Sequence, residues 1–230
     1  MRIKPAIVLA VIALLSLAPE ARGTGWYSWV KTPTRTPTGT PTLPPTPTPT
    51  QTPLPPLDAF QVRYSSNLAI GDSVVNLTNT GTQGGAHPAG NICSNVYVFD
   101  PDEHMVACCS CLLTPNGLRS LSANLDLTID TLTGAVPTSI IIKLLASIPT
   151  GGSCDAATPT AANLAPGMRA WATTLHALPG SPATYAVTET QFTPAVLSTS
   201  ELTELTTDCA TIEMDGGGAG ICKACRTGGL

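Results

Sequence analysis

Charge is sparse in this chain: Asp, Glu, Lys and Arg make up 11% of its 230 residues, against about 25% in an ordinary soluble domain. The formal net charge is −4 and no cluster of Lys and Arg occurs anywhere, so the electrostatic footprint required for nucleic acid or an anionic membrane surface is missing. Long hydrophobic runs are absent too. The N-terminal apolar run, residues 6–18, has thirteen residues, short of the roughly 20 that cross a bilayer as a helix. Catalytic signatures are equally lacking. There is no His-Glu-x-x-His helix for a catalytic metal and no Gly-x-Ser-x-Gly elbow for a serine hydrolase, and His87, His104 and His176 are scattered. The glycines at 216–220 follow a helical pattern instead of joining a strand to a helix N-terminus, which excludes a phosphate cradle. Together these absences point away from chemistry and towards a structural or binding role.

What the chain does have begins with an address. Arg2 and Lys4 precede the apolar run, and Ala21-Arg22-Gly23 places small residues where a signal peptidase reads, so residues 1–23 are expected to be a secretory signal. Trp26, Tyr27 and Trp29, close to Lys31, suit a membrane interface, which keeps an uncleaved anchor as the alternative; after cleavage no membrane span is expected. Residues 24–56 form a spacer. Within it, residues 32–56 hold ten threonines and ten prolines, and proline fixes φ and removes amide donors, so an extended stalk of about 75 Å is expected. O-glycosylation on threonine fits that composition, and so does a plain unstructured tail.

Residues 57–230 are left for one folded domain. Phe60-Gln61-Val62-Arg63-Tyr64 alternates as a strand, and a second strand covers residues 72–78, ending in Asn79-Thr80-Gly81. Residues 92–99 form a third, and Asp100-Pro101-Asp102-Glu103 is a type I turn that returns the chain as a hairpin arm over residues 105–113. Pairing about that turn sets Cys93 opposite Ser110 or Cys111, near enough to Cys108 or Cys109 for a cross-strand disulfide. The period-two pattern over residues 121–129 predicts a strand with one dry face, and residues 139–148, an apolar run broken by Lys143, read as a buried or central strand. Residues 168–178 and 185–192 pair across Pro179-Gly180-Ser181-Pro182. The chain closes with a helix. Ser198 and Glu201 make a capping box, and Leu202, Leu205, Cys209 and Ile212 share one face of a helix ending near Gly216.

The eight cysteines are Cys93, Cys108, Cys109, Cys111, Cys154, Cys209, Cys222 and Cys225. An even set on an exported chain reads as four disulfides, with connectivity left open. Side chains alternate along a strand, so Cys109 and Cys111 share one face of the hairpin arm and Cys108 takes the other, and Cys108 and Cys109 must reach different partners. Cys154 pins the loop at 151–166. The rival chemistry is zinc held by two C-x-x-C pairs, Cys108 with Cys111 and Cys222 with Cys225. The carboxylates of Asp100, Asp102 and Glu103 would suit calcium, but no dozen-residue loop with a glycine at its bend surrounds them, so they are read as an ordinary turn.

Two resemblances rest on quoted residues. Val75-Asn76-Leu77-Thr78-Asn79-Thr80-Gly81 resembles strand endings of bacterial immunoglobulin-like surface domains. The set Phe99-Asp100-Pro101, Cys108-Cys109-Ser110-Cys111, Thr114-Pro115-Asn116-Gly117-Leu118, Ala165-Pro166-Gly167-Met168 and Gly220-Ile221-Cys222-Lys223-Ala224-Cys225 resembles a set of uncharacterised exported bacterial cysteine-rich proteins. The latter resemblance implies export and one shared domain, and no activity. The expected fold is mainly β: an antiparallel, immunoglobulin-like β-sandwich of seven to nine strands with one C-terminal helix, stapled by disulfides. The expected function is a secreted or surface-tethered structural or adhesive domain, without cofactor, facing an extracellular partner or copies of itself. The alternatives are the zinc module and a hydrolase whose site is assembled from distant loops.

Overall fold

The computed structural model describes residues 58–82 and 87–225. The signal segment, the aromatic cluster at 26–29, the spacer and residues 226–230 lie outside the described residues. In chain order the elements are β1 (Phe60–Ser65), β2 (Val74–Asn79), β3 (Ile92–Phe99), β4 (Met105–Leu113), β5 (Leu118–Ser122), a π-helical turn (Ala123–Leu127), β6 (Ile140–Ser147), β7 (Met168–Leu178), β8 (Thr184–Gln191), β9 (Thr193–Pro194) and α1 (Thr199–Met214).

The strands form two antiparallel sheets, β4-β3-β6-β1-β9 and β5-β2-β7-β8. The inner faces of both sheets build one core. Val96 and Val98 of β3 and Ile142 and Leu144 of β6 meet Val75 and Leu77 of β2, Leu121 of β5 and Ala170 and Ala172 of β7. A second cluster lies on the outer face of the five-stranded sheet. There Phe60, Tyr97, Phe99, Met105 and Leu145 are covered by Leu202, Leu205, Cys209 and Ile212 of α1. With both faces covered, β3 is buried at every position, which is why it reads as a nearly continuous apolar run. Its polar residues are satisfied: Asn95 Nδ2 donates to the carbonyl of Leu145 at 2.8 Å, and Ser110 Oγ donates to Asn95 Oδ1 at 2.6 Å.

Most elements lie where the residue pattern places them, and three details differ. The β3–β4 hairpin folds back at Asp100, but a bulge between Val98 and Phe99 shifts the register, so Cys93 faces Leu112 instead of Ser110 or Cys111. The extra residue on β4 is Val106, since Val98 pairs with Ala107 and Phe99 with Met105.

The alternating run at 121–129 is not one strand. β5 stops at Ser122, whose hydroxyl accepts from Leu125 N, while the carboxylate of Asp126 accepts from Ser122 N and that of Asp72 from Asn124 N. These local bonds from side chain to backbone offer the chain a turn in place of a ladder. Leu125 and Ile129, assigned to the dry face by periodicity, are 62% and 44% exposed.

The third difference is at the helix start. Ser198 Oγ accepts from Glu201 N at 3.1 Å as an N-cap should, but the Glu201 carboxylate turns to Lys143 Nζ, 2.6 Å away, instead of reaching back. Beyond the helix, Gly220 is at φ +77° and a Cβ there would lie 2.8 Å from Ile212 Cγ2, so only glycine lets the tail lie this close to α1.

Candidate functional site

The sulfur atoms are concentrated on β4. Cys108 is bonded to Cys209 of α1, Cys109 to Cys222 and Cys111 to Cys225 of the tail, with Cα–Cα distances of 5.8, 5.3 and 4.9 Å. The fourth bond joins Cys93, at the start of β3, to Cys154 in the loop after β6, over 5.4 Å. All four separations suit a disulfide. Cys109 and Cys111 face the core between the sheets and Cys108 faces the helix, so the alternation along β4 sends neighbouring sulfurs in opposite directions. That alternation also bears on the zinc quartet. Cys111 and Cys225 are brought together, with Cys222 nearby on the same side, but Cys108 points through the other face and is bonded to Cys209. Cys93 takes its partner from the loop after β6 and not from the hairpin, as the shifted register requires.

Main-chain bonds reinforce the tail. Cys108 N donates to the Gly220 carbonyl at 2.7 Å and Cys222 N to the Cys108 carbonyl at 3.2 Å, so the residues following Gly218 lie along the outer edge of β4. The helix is thus fastened by a disulfide, and the tail by two disulfides and by hydrogen bonds, to the same four residues.

Between the outer face of the five-stranded sheet and α1 lies a cleft of about 440 Å³, lined by Tyr64, Phe99, Asp100, Ser139, Lys143 and Glu204 among others. Lys143 is one of its lining residues. Its Nζ sits 2.6 Å from Glu201 Oε1 and 4.4 Å from the centroid of the Phe99 ring, so the amine is engaged by a carboxylate and an aromatic face at once. The residue that breaks the apolar run of β6 is therefore the one that anchors the N-terminal turn of α1 over the sheet, and a lone cation inside such a run was the sequence signal for it.

None of the three histidines lines this cleft. His104 lies on the hairpin turn with Nδ1 3.6 Å from Asp100 Oδ2, His176 Nε2 is 2.8 Å from Thr188 Oγ1, and the ring of His87 accepts from Ala89 N. Asp100 Oδ1 accepts from Asp102 N and His104 N, at 3.0 and 2.9 Å, so its carboxylate organises the turn. The sulfurs of Cys108 and Cys209 and the carboxylate of Glu213 lie within 4.8 Å of one another, but the two sulfurs are bonded to each other and offer no thiolate.

Glu213, largely exposed on α1, meets Asp155 from the loop after β6, a contact that periodicity could not reveal. Partial burial raises its pKa above the ordinary carboxylate range, and the negative charge of Asp155 and a hydrogen bond to that residue push the same way. The neighbouring Tyr97 phenol is raised by burial and by both carboxylates, and donates to the Ala156 carbonyl at 2.8 Å.

No protein-family model, curated protein or solved structure matches the chain.

Proposed function

We propose that this chain is an exported, non-catalytic structural or adhesive domain, carried on its Thr/Pro stalk and acting through its surface. The observation that carries the reading is the pairing of all eight cysteines, with three of the four bonds made by the four-residue segment 108–111. Such density of cross-links belongs to oxidising compartments. It spends every sulfur on bracing helix, tail and loop against the sheets. The low charge and the hydroxyl-rich composition fit a domain whose contacts are made by surface shape and hydrogen bonding.

The strand order supports an immunoglobulin-like layout for the two sheets. β1 pairs with β6 in one sheet and β2 with β7 in the other, and the β1–β2 and β6–β7 connections each pass from sheet to sheet, as the paired central strands of that fold do. The β3–β4 hairpin beside β6 and the short β9 beside β1 are this chain's own edges.

The test is localisation of the full chain in intact cells. An externally added protease that cuts the Thr/Pro spacer should release the disulfide-bonded domain without lysis. Recovery of the domain in the cytoplasmic fraction, shielded from the protease, would overturn the reading.

A further inference from the structure

Three of the four sheet edges are closed or blunted. The outer edge of β4 carries the tail through the bonds between Cys108, Gly220 and Cys222, and Leu132 N donates to the Val106 carbonyl at 2.9 Å. β9 is two residues long and one of them is Pro194. β5 has five residues, includes Arg119 and runs directly into the π-helical turn. Short length, charge, proline and covering segments are the devices by which sheets avoid pairing with other chains. β8 has only one of them, a single charge. It is an eight-residue terminal strand, paired only with β7 among the described residues, without proline, lysine or bulge, and its one charge is Glu189.

The register shows which backbone groups are open. Phe192 N donates to the Ala170 carbonyl at 2.9 Å, and the pairing of Trp171 with Gln191 continues in step to Leu178 with Thr184. In an antiparallel ladder alternate residues turn their N–H and C=O the same way. Thr190, Thr188, Ala186 and Thr184 therefore bond to β7, and Gln191, Glu189, Val187 and Tyr185 present theirs outward. The same strand exposes apolar area, Val187 being 62% and Tyr185 48% accessible. Asn76 Nδ2 donates to Glu189 Oε1 at 3.2 Å, and because Asn76 belongs to β2, the carboxylate leans across β7 and away from the open edge.

We propose that β8 is a self-association edge and that its occupant is β8 of a second copy, paired antiparallel about a two-fold axis. The inference rests on the reading of the domain as one that works through its surface, and it names the partner and the place. Val187 of each copy then faces Glu189 of the other and Tyr185 faces Gln191, so that all four outward residues are bonded and the four-stranded sheets join into one of eight. A second copy fits because the strand's single carboxylate is drawn aside and the net charge of −4 gives little repulsion between chains.

The experiment is sedimentation of the oxidised full chain over a concentration series, with amide exchange read residue by residue. The expected result is a monomer–dimer equilibrium in which the amides of Tyr185, Val187, Glu189 and Gln191 gain protection with concentration while those of Thr184, Ala186, Thr188 and Thr190 are protected throughout. Val187→Pro, which removes only an outward N–H, and Val187→Lys should each weaken the dimer at least tenfold with the circular dichroism of the monomer unchanged. A monomer at every concentration, or a dimer that neither variant weakens, overturns the proposal. If the protein is exported and fully cross-linked yet monomeric, only this inference falls. If it is retained inside the cell with free thiols, the proposed function falls.

Discussion

Cys108 and Cys109 are neighbours in the chain but lie on opposite faces of β4, the first bonded to Cys209 in α1 and the second to Cys222 in the tail. One strand thereby holds a helix through its outer face and, through a sulfur on its inner face, a return segment along its edge. The arrangement divides the domain's stability among parts that can be perturbed separately.

Removing the helix staple is the first such perturbation. The Cys108–Cys209 bond closes a sequence separation of 101 residues, and loss of a bond of this kind typically costs about 2–5 kcal/mol. Replacing both residues by alanine should lower the unfolding free energy of the non-reduced protein, read from denaturant titration, by that amount. It should also make α1 the first segment cut in limited proteolysis.

The helix face offers a paired test of burial. Leu205 is fully buried beneath α1 while Met214, at its end, is exposed. Leu205→Ala should cost about 2–5 kcal/mol through lost contacts and a cavity. Met214→Ala should stay within about 0.5 kcal/mol, both read from chemical unfolding.

Glu213 gives a dependence on pH. Its native pKa lies above the ordinary value of 4.5 because of burial and Asp155, so the native state holds that proton more tightly than the unfolded chain. Stability from this group is greatest below pH 4.5 and declines as pH rises through the native pKa. Glu213→Gln removes the penalty. It should raise the melting temperature near pH 7 and leave it little changed near pH 3, in thermal melts across that range.

At the π-helical turn, the Asp72 carboxylate accepts from Ser122 Oγ at 2.5 Å and from Asn124 N at 2.9 Å. Asp72→Ala orphans both donors and should destabilise by about 1–3 kcal/mol. Amide exchange at Asn124 should accelerate more than exchange in β2.

The positions of the strands were legible because their apolar residues recur with period two or crowd into runs, broken by no more than one or two polar residues, between turn residues. β3, β4 and β6 are examples, and the helix face of Leu202, Leu205, Cys209 and Ile212 followed equally from spacing. The separation of Cys108 from Cys109 needed nothing beyond the pleat. Partner choice was not legible, because it depends on which loop or tail passes each sulfur in space. The bulge at Val106 then altered the register on which a Cys93 pairing had been expected. The run at 121–129 misled for a local reason: Ser122, Asp126 and Asp72 satisfy the backbone as a turn, and alternation of apolar residues carries no trace of those bonds. The cleft around Lys143 was half visible as a cation in an apolar run. Its partners Phe99 and Glu201 come from segments far apart in sequence.

The central claim is that every sulfur is engaged in bracing the sheets, helix and tail. Mass mapping of peptides from the purified protein, digested without reduction, tests it most directly. The account predicts four linked pairs, Cys93 with Cys154, Cys108 with Cys209, Cys109 with Cys222 and Cys111 with Cys225. Free thiols in the purified protein, or Cys108, Cys111, Cys222 and Cys225 gathered about an ion, would contradict it.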